Sequence, residues 1–294
     1  MIRRAALAVA LLTAVSTLVP LIGDGRSSAA APVIGGRVHR AYNPSKGKLF
    51  VLVIGNDARE GNPDRSRADA IHIVGIDTDS MRAGILNFPR DSWVSIPGHG
   101  SGRLNEALYD GGPQLLARTL EDITGIRLDL WVMTGFEGFE GIVRGINGVP
   151  FHITRDIYDP TGSGADLEAG QDYLDARQSL AYVRTRHSFP RGDIDRTINQ
   201  AHFMIALLRK LRAQVERDPA ALLDWIALVR RHTRLNVSPK EMFHLGVLAT
   251  QVKPKHVGSV TVPVSIGSVG SASVVFITPS AGSIYARFNR TARL

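Results

Sequence analysis

Hydrophobic and polar positions change rhythm several times along the chain, and each change marks a boundary. Met1–Arg4 is a short basic start, and Ala5 to Gly23 is then free of charge and mostly apolar. The run is long for the apolar part of a signal peptide and just long enough for a membrane span. Small residues come next at Ser28-Ala29-Ala30-Ala31, in the manner of a signal-peptidase site. Signal anchor and cleaved signal peptide both place the rest of the chain outside the cytoplasm. Residues 24–47 are rich in Gly, Ser, Ala, Pro and Asn without periodicity, so they read as a linker. The expected organisation is a membrane-targeting segment at 1–23, a linker at 24–47 and one domain at 48–294.

Within the domain the pattern alternates between strand-like and helix-like stretches. Lys48 to Ile54 is a β-branched and aromatic run ending at Gly55, as a buried strand with a functional loop at its end would be. Further strands are expected at Ala70–Ile76, Arg82–Phe88, Leu130–Met133, Gly148–Thr154, Val257–Pro263 and Ser273–Thr278. Helices are expected from Gly112-Pro113 to Thr124, at Phe136–Ile146, Asp175–Tyr182, Thr197–Gln214 and Pro219–Arg231. Phe136, Phe139, Ile142 and Val143 share one helical face, as do Phe203, Ala206, Leu207 and Leu211. Strands alternating with helices predict an α/β fold, a sheet covered on both faces.

Composition narrows the chemistry. A hydrophobic fraction of 44% in 294 residues supports a sizeable core. Cysteine is absent, which excludes disulfides, zinc–thiolate sites and a cysteine nucleophile. The net charge of +8 suits either nucleic acid or an anionic membrane or glycan. Aromatic content of 6%, with no basic stripe interleaved with aromatics, speaks against base stacking. The targeting segment speaks against a nucleic-acid partner as well. No P-loop, GxSxG or HExxH motif is present, and the histidines show no metal-ligand spacing.

The candidate chemistry lies in short clusters of arginine with aspartate: Asp57-Ala58-Arg59, Arg67-Ala68-Asp69, Arg90-Asp91, Arg184-Thr185-Arg186, and Asp193 to Arg196. Guanidinium forks match phosphate oxygens two at a time, and paired carboxylates hold a hard cation such as Mg²⁺. Asp57 comes just after one strand and Asp69 precedes the next, so antiparallel neighbours would bring them to one end of the sheet. Loop aspartates that merely cap turns are the plainer reading of that pair. Arg184 and Arg186 point to one side if their segment is extended and diverge if it is helical. Arg196 and Gln200 share a face in the first turns of a helix, where anions are favoured.

These motifs, in this order over roughly Leu49 to Leu211, resemble the LytR-CpsA-Psr cell-wall ligases. The carriers of the resemblance are Val53-Ile54-Gly55-Asn56-Asp57-Ala58-Arg59, Arg67-Ala68-Asp69-Ala70, Phe88-Pro89-Arg90-Asp91, and Arg103-Leu104-Asn105 before Tyr109-Asp110-Gly111-Gly112-Pro113. Ile146-Asn147-Gly148-Val149, Tyr182-Val183-Arg184-Thr185-Arg186 and Gly192-Asp193 to Arg196 complete them. The resemblance implies a three-layer α/β/α fold with a central mixed sheet and a groove for a lipid chain. It implies an enzyme outside the membrane that moves glycan-1-phosphate from a polyprenyl-pyrophosphate carrier to a peptidoglycan hydroxyl. By motif, Asp57 and Asp69 correspond to ligands of Mg²⁺ (or Mn²⁺). Arg59, Arg67, Arg90, Arg103, Arg184, Arg186 and Arg196 correspond to the pyrophosphate cradle, with Gln200 as a polar helper. Arg90, Asp91, Arg184 and Arg186 stand closest to the chemistry, and Asp57 and Asp91 are the two candidates for general base. The apolar faces of 201–211 and 219–229 are candidate walls of the lipid groove, with core packing as the plainer role. Three departures stand out: Arg103 where lysine is common, Asn199 where a second arginine is common, and His72 where a small or apolar residue is common. For His72 the expected role is packing or a local hydrogen bond.

Overall fold

The computed structural model describes residues 33–37, 47–58, 66–235 and 237–294. The targeting segment, most of the linker and Arg59 lie outside the described residues. Among the described residues no helix is long and apolar enough to cross a membrane.

The strands are β1 (Val33–Arg37), β2 (Lys48–Asn56), β3 (Ala68–Asp77), β4 (Arg82–Asn87), β5 (Trp93–Ile96), β6 (Gly100–Arg103), β7 (Leu130–Thr134), β8 (Val149–Pro150), β9 (Ile157–Asp159), β10 (Ala165–Leu167), β11 (Tyr173–Leu174), β12 (Thr233–Leu235), β13 (Val257–Thr261), β14 (Val264–Val269) and β15 (Ala272–Ile277). The helices are α1 (Glu106–Thr124), α2 (Phe136–Gly145), α3 (Ala176–Arg184), α4 (Asp193–Arg217), α5 (Ala221–His232), α6 (Pro239–Gln251) and α7 (Ala281–Thr291). A mixed sheet runs in the order β12-β1-β7-β2-β3-β4-β13. Its centre is the antiparallel trio β2, β3 and β4, with β7 parallel to β2 and β13 parallel to β4. Four two-stranded ribbons surround it.

Side-chain alternation decides what each face carries. Leu52 and Ile54 of β2, Ile71 and Ile73 of β3 and Leu86 of β4 join Leu108, Leu116 and Leu120 of α1 and Phe288 of α7 in one core. On the opposite face α4 packs over β3, β4 and β13. Beside it a second core gathers Val143, Val149, Leu174, Tyr182 and Phe203 from α2, α3, α4 and the small ribbons. The three-layer α/β/α arrangement expected from the sequence is the one observed.

Two positions require glycine. Gly75 of β3 and Gly84 of β4 face each other across the ladder. A Cβ on Gly75 would stand 2.7 Å from the Phe288 ring, and one on Gly84 would stand 2.8 Å from it. The pair forms a bare trough for Phe288, whose ring also meets Phe50 edge-on at 5.4 Å.

Local signals explain several ends. Asp175 and Gln178 form a reciprocal capping box that starts α3, and Ser238 and Glu241 do the same for α6. Gly125 ends α1 in the left-handed conformation. That helix is broken at Gly111–Gly112, just before the Pro113 that marks the expected start. Gly148–Thr154 is strand only at Val149–Pro150. β15 meets the strand expected at Ser273–Thr278, while its partner β14, the β5–β6 and β9–β10 ribbons, α6 and α7 are additions that the hydrophobic pattern does not predict.

Candidate active site

The site begins with a fault in the sheet. Gly55 pairs with Ala70 but Asn56 pairs with Ala68, so Asp69 is an extra residue bulged out of β3. A bulge re-aims a side chain and frees its carbonyl from the ladder. The Asp69 carboxylate accepts from Arg90 NH1 at 2.5 Å. The freed carbonyl faces Arg196 NH2 at 3.3 Å and Gln200 Nε2 at 3.5 Å. Asp57 lies at the same sheet end, where Oδ1 accepts the Arg67 backbone N–H at 3.1 Å. Asp57 thus performs the turn-capping role, while its strand and the next are antiparallel neighbours as expected.

Arg90 is the hub. Besides Asp69 it lies 3.7 Å from Asp91 and 3.6 Å from Asp193. Burial alone would lower its pKa, but the carboxylates of Asp193, Asp69 and Asp91 outweigh this and raise it. The loop holding Arg90 is fixed by its own backbone. Asn105 N–H donates to the Arg90 carbonyl, Leu104 N–H to the Ser92 carbonyl, and Val275 N–H of β15 to the Asp91 carbonyl. Arg103 approaches Asp91 at 3.6 Å and donates to the Ser273 carbonyl at 3.0 Å, so the β14–β15 ribbon braces the same loop.

α4 supplies the other wall. Its first residue, Asp193, pairs with Arg196 at 2.7 Å and Arg186 at 4.0 Å. Arg196 is 5% exposed, and burial lowers its pKa, with Arg90 and Arg186 adding repulsion that Asp193 and Asp69 only partly offset. The buried Nε atoms of Arg90, Arg103 and Arg196 have no hydrogen-bond partner among the described residues. Arg90 Nε and Arg103 Nε face Asp91 at 3.7 and 3.6 Å, beyond hydrogen-bond reach, so that carboxylate is the anion that two of the three meet. Asp91 is shifted the other way. Burial, reinforced by the neighbouring Asp193 carboxylate, raises its pKa against the pull of Arg90 and Arg103.

Arg184 ends α3 and only Thr185 is extended, so the two arginines leave a helix end in different directions, Arg186 toward Asp193 and Arg184 toward Phe136. Arg184 is seated over the Phe136 ring at 4.4 Å, a cation–π contact that holds it outside the ion-pair network. His187 faces the other side, with Nδ1 3.0 Å from the buried Asp159 carboxylate. It is therefore a tether for the loop and not part of the cradle. The Arg67 side chain is exposed. The structure thus gathers Asp69, Arg90, Asp91, Arg103, Arg186, Arg196 and Gln200 into one network. Asp57 and Arg67 stand at its margin, and Arg184 is attached through Phe136. Sequence reasoning named Asp193 in its cluster but gave it no role, though three arginines touch it, and placed Phe136 only on a packing face. An acid opening a helix between arginines was a usable signal for the first; nothing local signalled the second.

Mg²⁺ can be tested against this geometry. Asp57 and Asp69 each spend one oxygen on a fixed hydrogen bond, leaving a second oxygen on each for a hard cation that takes water and phosphate as its remaining ligands. The pair fits. Among the described residues there is no group of three or more His, Cys, Asp or Glu that could hold an ion without such help.

Further along α4 the character changes. A cavity of about 260 Å³ is lined by Leu130, Trp131 and Val132 of β7, Leu211 of α4, Leu222, Trp225, Ile226 and Val229 of α5, Val237, and Met242, Leu245 and Gly246 of α6. Of the two apolar faces expected to form a groove, Leu211 and the α5 residues line this space, while Phe203 and Ala206 pack in the core.

The class the structure defines is a three-layer α/β/α domain with an arginine–aspartate network at one end of its sheet and an apolar cavity between β7, α4, α5 and α6. The LytR_cpsA_psr family model matches residues 24–288, and the chain belongs to that family. It is 32% identical over 222 residues to "Polyisoprenyl-teichoic acid--peptidoglycan teichoic acid transferase TagT" of Bacillus subtilis (strain 168), covering 73% of this chain and 68% of that protein. It is 30% identical over 233 residues to "Regulatory protein MsrR" of Staphylococcus aureus (strain COL), covering 78% and 69%. The solved structure "LytR-CPS2A-psr family protein YwtF (TagT) with bound octaprenyl pyrophosphate lipid" superposes with a TM-score of 0.66 at 24% identity, over 86% of this chain and 93% of that one, a likeness of fold.

Proposed function

We propose that the protein is a phosphotransferase of cell-wall assembly. It takes glycan-1-phosphate from a polyprenyl-pyrophosphate carrier and places it on a peptidoglycan hydroxyl, carbon 6 of N-acetylmuramic acid, releasing polyprenyl phosphate. It works at the extracytoplasmic face of the cell membrane, beside the membrane surface, and would be secreted if its targeting segment is cleaved. The observation that carries this reading is the polarity of α4. Arg196 near its start belongs to the cradle, and Leu211 lines the apolar cavity. Fifteen residues separate them, about 22 Å along a helix. One rigid element thus offers a seat for an anionic head and, farther on, a dry space for a tail. The relation to a teichoic acid transferase supports the same reading.

In the proposed reaction the acceptor oxygen attacks the glycan-bearing phosphorus, and the bond to the polyprenyl phosphate oxygen breaks. Such transfers depend on positioning and on neutralising charge. Arg90, Arg103, Arg186 and Arg196 would supply positive charge to the phosphates, with Arg67 and Arg184 at the margin of the network and Arg59, outside the described residues, a further candidate by its motif. Asp57 and Asp69 would hold Mg²⁺ (or Mn²⁺), which when bound neutralises charge on the pyrophosphate. Asp91 is the better placed general base. Its carboxylate is the one made more basic by its surroundings, whereas Asp57 is engaged in capping Arg67.

The test is to incubate the full-length protein in detergent with a polyprenyl-pyrophosphate glycan, Mg²⁺ and a peptidoglycan oligomer, and to seek a phosphodiester-linked product by mass spectrometry. Product formed by the wild type and lost in Asp69→Ala and Arg184→Ala is the expected result. Free glycan phosphate without linked product would replace the reading with a hydrolase. Lipid binding without turnover would replace it with a carrier-binding protein.

A further inference from the structure

A buried polar chain crosses the core behind the cradle, and the proposed transfer makes no use of it. His72 lies on β3 on the face opposite Ile71 and Ile73 and is 1% exposed. Its Nδ1 stands 2.9 Å from Asn87 Oδ1 on β4, and its Nε2 stands 3.2 Å from Gln200 Oε1 on α4. Asn87 Nδ2 donates to the Ser259 hydroxyl on β13 at 2.9 Å. Gln200 Nε2 reaches the Val183 carbonyl at 3.1 Å and the Asp69 bulge carbonyl at 3.5 Å. Five elements are therefore joined through one imidazole.

The direction of every bond is set from the cradle end. Val183 and Asp69 offer carbonyls, which only accept, so Gln200 must turn its NH₂ toward them and its oxygen toward His72. That oxygen also only accepts, so the proton on His72 must sit on Nε2. Burial holds the imidazole pKa down at about 4, so the ring is neutral at neutral pH and Nδ1 is a bare acceptor. A bare Nδ1 cannot pair with the Asn87 oxygen that faces it, so the Asn87 amide must be turned over, its NH₂ toward Nδ1 and its oxygen toward the Ser259 hydroxyl, which can donate. Amide oxygen and nitrogen are alike in shape, and the bonding pattern decides between them. With the amide so turned, each of these bonds has one donor and one acceptor.

We propose that His72, as its neutral Nε2–H tautomer, is a positioning residue that orients Gln200 and thereby ties the Asp69 bulge to the end of α3 that presents Arg184. A side chain there without a donor would leave Gln200 Oε1 buried and unpaired, free to swing away from both carbonyls. The inference rests on the reading of Asp69 and Arg184 as parts of a pyrophosphate site.

The experiment uses the full-length protein, ¹⁵N-labelled, with His72→Gln, His72→Asn and His72→Leu. Glutamine can place an N–H where Nε2 stands; asparagine and leucine cannot. Nitrogen-detected NMR should find His72 protonated on Nε2 and bare on Nδ1 at neutral pH. Binding of geranyl pyrophosphate should weaken roughly 10-fold in the Leu and Asn variants and recover in the Gln variant, with kcat for transfer falling roughly 10- to 100-fold in the first two. An Nδ1–H tautomer, an imidazolium, or a Gln variant no better than Leu would overturn the proposal. Should the wild type fail to bind geranyl pyrophosphate, the functional reading falls. The role of His72 is then decided by exchange of the Gln200 side-chain amide protons. Slow exchange in wild type and His72→Gln, with exchange faster by about 10-fold or more in His72→Leu, sustains it. Equal rates in all three overturn it.

Discussion

The two faces of the central sheet are built from the same strands and differ in almost every other respect. The face under α1 and α7 is dry and close-packed, with Phe288 pressed into the trough at Gly75 and Gly84. The face under α4 carries a buried histidine, a nearly buried arginine and an apolar cavity. Close packing stabilises a fold, and buried polar groups and empty space cost stability. The difference teaches that one face holds the domain together while the other tolerates expensive features, a buried arginine among carboxylates and an apolar cavity.

The sharpest way to break that comparison is Arg90→Ala. It removes the hub between Asp69, Asp91 and Asp193, and transfer activity should fall by about 10³-fold or more. A variant that keeps wild-type turnover while remaining folded by circular dichroism would remove Arg90 from the chemistry. Next comes Phe288→Ala on the other face. It should cost about 3–5 kcal/mol in urea unfolding while leaving kcat of the folded fraction nearly unchanged. A larger loss of kcat than of stability would show that the faces are not separable.

Gly246→Leu sharpens the role of the cavity. A Cβ at Gly246 would stand 2.9 Å from Leu222, so a leucine must fill the space or push α5 and α6 apart, at a cost of about 1–3 kcal/mol. KM should rise for long-chain polyprenyl donors and stay level for geranyl ones. Equal effects on both chain lengths would separate the cavity from the tail.

The smallest effect concerns acid stability. His72 is held neutral by burial, its pKa lowered from 6.5 to about 4. The unfolded chain therefore takes up a proton at this residue before the folded chain does. The stability it contributes is full above pH 6.5 and declines as pH falls toward 4. His72→Gln should flatten the pH dependence of unfolding free energy across that window. An unchanged slope would mean that the ring is charged in the folded protein.

Much of this architecture was legible. The runs from Lys48, Ala70 and Arg82 announced β2, β3 and β4, because buried central strands are continuous apolar segments. The arginine and aspartate clusters announced a charged network, and the structure gathers Asp69, Arg90, Asp91, Arg103, Arg186 and Arg196 at one end of the sheet. The bulge at Asp69 was not legible, because a register shift is a property of two strands and is written in neither. The stacking of Arg184 on Phe136 is a contact between α3 and α2 that no spacing encodes. The capping box at Ser238 and Glu241 was present in the sequence as a start signal for α6 and was overlooked. α7 offers only Ile284, Tyr285 and Phe288 as strong apolar anchors among glycine, serine and arginine, too sparse for a periodicity to stand out.

The glycine trough also sets an order of events. Phe288 is the ring that closes against Phe50, and the two are separated by most of the domain's length. Until residue 288 has been made and has returned to the sheet, Gly75 and Gly84 leave a strip of bare backbone on the face that stabilises the fold. Contacts of such long range form late and slowly. The nascent domain therefore keeps an open seam on its most cohesive side through nearly all of its synthesis.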